Sequence, residues 1–191
     1  MTKYILGGGY TQKTEDRGRA FCEELVKDIE LYRPVKILDC MFARPMNSWD
    51  EKLIEDNQMF SEFITNFELI LADVDKFEEQ AKDADVIFLR GGETDVLIDL
   101  LKKTGDWTKY LYGKTIAGTS AGAMAIAKYS HALEQDKLME GLGLLPVKVI
   151  AHWKTDIYEV DWDRALKEIK DYKEDLPVYT LAEGEFKVFN V

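Results

Sequence analysis

Short apolar runs alternate with longer amphipathic stretches along most of this chain. Residues 3–6 read as a strand that stops at Gly7-Gly8-Gly9. Within 15–32, Phe21, Leu25, Ile29 and Tyr32 recur at the three-to-four spacing of one helix face. Residues 35–39 predict a second strand. Residues 48–67 predict a helix with Ser48 as its N-cap and Glu51 three positions on, the spacing of a capping box. Strands at 69–72 and 85–89 flank a short helix at 76–84, and a helix at 95–103 follows Gly91-Gly92. A fifth strand, 115–118, runs into Ser120 and a helix of small residues. Strands alternating with helices imply βαβ units and a parallel sheet. The unbroken apolar run Val86-Ile87-Phe88-Leu89 fits a strand buried on both faces. After Lys128 the alternation weakens to a strand at 147–151 and a helix at 163–172. A hairpin of 178–181 and 186–189, turning around Glu183-Gly184, ends the chain. No repeat, linker or low-complexity tract divides the sequence, so it reads as a single domain, 1–191.

Composition narrows the partners. Hydrophobic residues make up 46% of the 191, enough for a core in one ordinary domain. The formal net charge of -11 argues against nucleic acid, whose phosphates need clustered cations, and against an anionic membrane surface. A small acidic substrate stays open, because a pocket's local field can oppose the net charge. The N-terminus reaches glycine too early for a signal peptide, and no apolar run approaches the ~20 residues of a membrane helix. Two cysteines, Cys22 and Cys40, make no disulfide framework; both read as core, and a reducing cytoplasm is the expected compartment. No His/Cys/Asp spacing suggests a metal, so neither metal nor cofactor is expected. Neither glycine-rich loop completes a nucleotide-binding pattern.

The chemistry concentrates at Gly118-Thr119-Ser120-Ala121-Gly122, placed between a strand and a helix. A sharp strand-to-helix turn lifts a serine hydroxyl clear of the sheet, and its neighbours must be tiny for the backbone to pass. The Ala121 amide, next after the serine, can donate to an oxyanion. Small residues also occupy any tight strand–helix junction, so the five-residue pattern is weak without its context.

A nucleophilic serine needs a base, and the chain holds two histidines. His131 lies eleven positions after Ser120, which is ~16 Å if the segment stays helical. His152 follows the strand 147–151, at the sheet edge where strand C-termini gather. His152 is therefore the expected base, with a structural imidazole as its alternative. Glu134, Asp136, Asp156, Glu159 and Glu183 are the available acids. Glu183 stands apart by sitting at another strand end. Phe88-Leu89-Arg90-Gly91-Gly92-Glu93-Thr94 offers a second oxyanion donor at Gly91 or Gly92, or else a plain turn. Around it, Arg90, Glu93 and Thr94 are the expected substrate contacts. Arg90 is the cation suited to a substrate carboxylate, unless it pairs with Glu93 or Asp95. Trp153, beside His152, is placed to wall a pocket.

Taken together, the opening strand with Gly7-Gly8-Gly9, the stretches 88–94 and 118–123, and the strand ending in His152 resemble the dipeptidase E and cyanophycinase family of serine peptidases. The hairpin around Glu183 supports the resemblance. It implies a three-layer α/β fold like the class I glutamine amidotransferases (flavodoxin-like), a mainly parallel sheet with helices on both faces. It also implies a Ser120–His152–Glu183 triad, with Ala121 and Gly92 amides as oxyanion hole. A second acid position of the family falls on Gln135, with Asp136 next to it as the alternative triad acid. The implied substrate is a short peptide, possibly with an N-terminal aspartate; the chain is expected to be a monomer or homodimer. Glu93 stands where the family often has asparagine, and an unpaired carboxylate there would repel an acidic substrate group. An esterase or amidase on the same site, or a silent binding module of the same fold, are the competing readings.

Overall fold

Five mainly apolar strands stack in parallel register. They are β1 (Lys3–Gly7), β2 (Val35–Cys40), β3 (Phe67–Leu71), β4 (Val86–Leu89) and β5 (Thr115–Thr119). The structure is a computed structural model that describes residues 1–30 and 32–191; Leu31 and the side chain of Glu134, one of the acids considered above, lie outside the described residues. The sheet order is β10-β1-β5-β4-β2-β3, where β10 (Phe186–Asn190) pairs antiparallel with β1. Every residue of β1, β4 and β5 is buried, which is what helices on both faces require.

On one face, α1 (Arg19–Val26) and α2 (Trp49–Phe63) set Phe21, Leu25 and Phe60 against Ile5, Ile37, Phe88 and Ala117. On the other, α3 (Phe77–Asp83), α4 (Thr94–Leu101) and α5 (Ala121–Ile126) pack Phe77, Leu97 and Ala123 against Leu6, Leu38 and Ile116. Parallel pairing brings strand C-termini to one edge, with Gly7 beside Thr119 and Leu89 beside Gly118. The glycine-rich turns therefore converge there.

The chain after α5 departs from the sequence expectation. The helix stops at Ile126, and β6 (Ala127–Ala132), β7 (Lys137–Glu140), β8 (Leu145–Ile150) and β9 (Val178–Thr180) form a second sheet, ordered β7-β6-β8-β9. An outer helix, α6 (Trp162–Asp171), is capped by the Asp161 side chain and buries Ala165 and Ile169 against Leu133 and Ile150. The expected terminal hairpin is not one. β9 runs parallel to β8 in the second sheet, while β10 joins β1 in the first. Residues 181–185 cross between the sheets, held by Leu181 N–H to Ile150 O (2.9 Å) and Gly184 N–H to Gly9 O (2.7 Å). No helix among the described residues is long and apolar enough to cross a membrane.

Candidate active site

Ser120 joins β5 to α5 at φ 52°, ψ −113°, a backbone conformation that a residue with a side chain rarely adopts. The strain is held by Ser120 N–H to Gly7 O (2.9 Å) and Met124 N–H to Ser120 O (3.0 Å). The flanking glycines are steric necessities. A Cβ on Gly118 would sit 2.3 Å from the Gly122 carbonyl carbon, and one on Gly122 would sit 1.9 Å from Leu89 O.

His152 lies just beyond β8, buried, also at positive φ (54°), with its N–H bonded to Gly8 O (3.0 Å). Its Nε2 stands 2.9 Å from Ser120 Oγ. Gly8 and Gly9 make room for this approach. A Cβ on Gly9 would meet the His152 ring at 2.3 Å, and one on Gly8 would meet Ala182 O at 2.0 Å. Tyr10 and Tyr158 contact the imidazole edge-on at 5.4 and 6.1 Å between ring centres. Trp153, expected beside the pocket, instead packs on Trp162 at 5.1 Å.

Glu183, on the crossing segment, sets Oε1 3.6 Å from His152 Nδ1 and accepts a hydrogen bond from Thr155 Oγ1 (2.6 Å). The Nδ1 separation is that of an ion pair, longer than a hydrogen bond, and Nδ1 is buried with no hydrogen-bond partner among the described residues. Burial pushes the His152 pKa below its ordinary value of 6.5, against the upward pull of the Glu183 carboxylate; Lys13 adds to the lowering. The imidazole is thus neutral at pH 7, the form that can accept a proton.

The loop after β4 closes the site from the other side. Gly92 has φ 155°, and a Cβ there would lie 2.2 Å from Ala43 O; one on Gly91 would touch Ser120 Cβ at 3.0 Å. Backbone bonds tie the loop down: Arg90 N–H to Cys40 O (3.1 Å) and Glu93 N–H to Ala43 O (2.8 Å). Thr94 is buried at the start of α4 and lines a small pocket of about 40 Å³ with Ser120 and Met124. The Ala121 amide, first in α5, has no acceptor within its helix and lies next to the serine.

Two sequence expectations need correction. Arg90, expected to pair with Glu93 or Asp95 if not with a substrate, is instead engaged by α2. Its guanidinium holds Asp56, Glu55 Oε2 (2.9 Å) and Lys52 O (2.7 Å), and its side chain is 13% exposed. Beneath it Asp39 is fully buried, and burial with the Asp56 charge raises its pKa well above its ordinary value; Asp56 is pushed up to about 6 by burial, against Arg90. Asp136 takes two hydrogen bonds from Arg164 Nη2 (2.7 and 2.6 Å) and lies 3.8 Å from His131 Nε2. That places it with the second histidine rather than with His152.

His131 is on β6 rather than on a continuing helix, so the helical spacing did not apply. It is buried and lines the small pocket, with Nε2 3.3 Å from Glu168. Asp156 and Glu159 are exposed, and both cysteines are free and buried. No group of three or more His, Cys, Asp or Glu among the described residues could hold a metal. Thr155 was not anticipated, and nothing in the sequence marks it out.

A strained serine at a strand-to-helix turn, contacted by a strand-end histidine, is a hydrolase arrangement. Residues 47–189 match Peptidase family S51. The chain belongs to that family. Two solved structures share the S51 chain's architecture. A peptidase from an acI-B1 Actinobacterium superposes with a TM-score of 0.74 at 23% identity, covering 99% of this chain and 83% of that one. A putative Peptidase E protein from Listeria monocytogenes EGD-e gives 0.73 at 14% identity, covering 99% and 97%. At these identities the likeness shows the fold, the flavodoxin-like α/β arrangement expected from the sequence. No curated protein matches the sequence. Family membership makes this S51 chain a peptidase.

Proposed function

We propose that this peptidase cleaves short peptides by acyl transfer through Ser120. Ser120 Oγ attacks the scissile carbonyl carbon, and His152 Nε2 takes the hydroxyl proton as the C–O bond forms. The amides of Ala121 and Gly92 hold the oxyanion. The intermediate collapses, the C–N bond breaks, and His152 returns the proton to the departing amine. Water then repeats the sequence on the acyl-enzyme and frees Ser120. Glu183 keeps the Nδ1–H tautomer facing it, so that Nε2 presents its lone pair to the serine. Glu183 is preferred over Asp136 as the acid because it is the carboxylate at His152. The observation that carries the reading is the 2.9 Å contact from His152 Nε2 to Ser120 Oγ at a strained turn.

The substrate is a short peptide with an acidic N-terminal residue, aspartate by resemblance to dipeptidase E, cut on the carboxyl side of that residue. A fluorophosphonate should add one label to the native protein, read by intact mass, and none to Ser120→Ala. Ser120→Ala should also lose Asp-Leu hydrolysis. A native protein that resists the label, or a Ser120→Ala variant that still hydrolyses the peptide, would refute the mechanism.

A further inference from the structure

The cleft that opens beside Ser120, about 480 Å³, is lined by six charged side chains: Arg44, Lys52, Glu55, Asp56, Arg90 and Glu93. Four of them are matched. Lys52 Nζ lies 2.5 Å from Glu55, and Arg90 holds Glu55 and Asp56. Arg44 and Glu93 remain. Arg44 donates Nε to Gly91 O (2.5 Å), which fixes the guanidinium against the loop that carries Gly92. Its two terminal nitrogens meet no hydrogen-bond or ion-pair partner among the described residues. The carboxylate of Glu93 meets none either, although its backbone N–H is pinned to Ala43 O. Both side chains are exposed to the cleft rather than buried in pairs.

One cation and one anion, both rooted in held backbone beside the nucleophile, complement a zwitterion. In an unblocked peptide the α-ammonium sits on the carbon next to the scissile carbonyl. Its acceptor must therefore lie against the oxyanion loop. Glu93 directly follows Gly92 and lines both the cleft and the small pocket next to Ser120.

We propose that Glu93 binds the free α-ammonium group of the substrate and Arg44 binds one of its carboxylates, so that the site takes short peptides from their amino end. The inference rests on the serine-peptidase reading above. It removes the objection that Glu93 would repel an acidic residue, because the ammonium group of that same residue neutralises it. The carboxylate on Arg44 comes either from the N-terminal side chain or from the peptide's C-terminus.

The test compares kcat/KM for Asp-Leu, N-acetyl-Asp-Leu, Asn-Leu and Asp-Leu amide in the native protein, Glu93→Gln and Arg44→Ala. The native protein should prefer the free amine by at least ~10-fold, the cost of leaving a charged group unpaired. Glu93→Gln should erase that preference by slowing Asp-Leu to the rate of the acetylated peptide. Arg44→Ala should slow Asp-Leu by a similar factor. If Asn-Leu escapes the loss, the side chain is the ligand of Arg44; if the amide escapes it, the C-terminus is. Full discrimination against the acetylated peptide in Glu93→Gln, or unchanged rates on all four in Arg44→Ala, overturns the proposal. Calorimetric binding of Asp-Leu and its acetylated form to Ser120→Ala separates the two readings. Tighter binding of the free amine there, lost in Ser120→Ala/Glu93→Gln, supports recognition even if the catalytic reading fails; equal binding of both forms refutes it.

Discussion

At the residue scale the site depends on conformations that side chains normally avoid. Ser120 and His152 both have positive φ, and they meet at 2.9 Å because Gly8, Gly9, Gly118 and Gly122 leave no atoms in the way. That arrangement has a pH consequence. The proposed mechanism needs the neutral imidazole, and burial lowers the His152 pKa from 6.5. The acid limb of kcat/KM should therefore have its midpoint below 6.5, with activity lost as pH falls through it. The Glu183 carboxylate opposes the effect of burial, so Glu183→Gln should move that midpoint further down while reducing kcat/KM by at least ~10-fold. A pH profile of each protein checks both. An upward move of the midpoint would show that Glu183 does not face the imidazole in solution.

Elements decide how much of this was legible. The strands β1, β4 and β5 are short, mainly apolar runs with small-residue turns at their ends, and that pattern locates them along with Ser120. The fold beyond α5 was not legible, because Ala121–Ile126 is apolar on every side and no glycine or proline within Ala127–Ala132 marks the change to strand. Such a run does not show where helix becomes strand. The strand-end placement of His152 makes its contact with the serine legible, whereas the helical spacing expected for His131 does not apply on β6. Gly7-Gly8-Gly9 is legible as the stop of β1 but not as the seat of the histidine. The engagement of Arg90 is not legible because its partners come from α2, far off in sequence. Its ion pairs span α2 and the loop of Gly92, and Asp56 is 2% exposed on its side chain. Removing one partner of such a pair strands a buried charge. Arg90→Ala should cost ~3–5 kcal/mol in denaturant unfolding. The ratio of Asp-Leu to Asn-Leu hydrolysis should stay as in the native protein, since Arg90 is committed to α2. A changed ratio with unchanged stability would return Arg90 to the substrate.

Over the whole molecule, two sheets share one site. The first carries Ser120 and the glycine loops, the second carries His152, and the crossing segment 181–185 brings Glu183 between them. The same chain has a net charge of -11, against which the acidic peptide proposed as substrate must approach. Asp-Leu carries one net negative charge at pH 7 and Leu-Leu none. The long-range field of the protein repels the first and not the second. Screening acts unequally on the forces involved. Raising salt from ~0.01 to ~0.15 M shrinks the Debye length from about 30 to about 8 Å, which removes most of the diffuse repulsion but little of a contact between Arg44 and a carboxylate. The rate constant kcat/KM for Asp-Leu should therefore rise with salt over that range, while that for Leu-Leu stays level. The rise should persist in Arg44→Ala, because it comes from the surface as a whole and not from that contact. A fall with salt in the native protein that vanishes in Arg44→Ala would mean that local attraction outweighs the net charge, and that the acidic surface plays no part in substrate access.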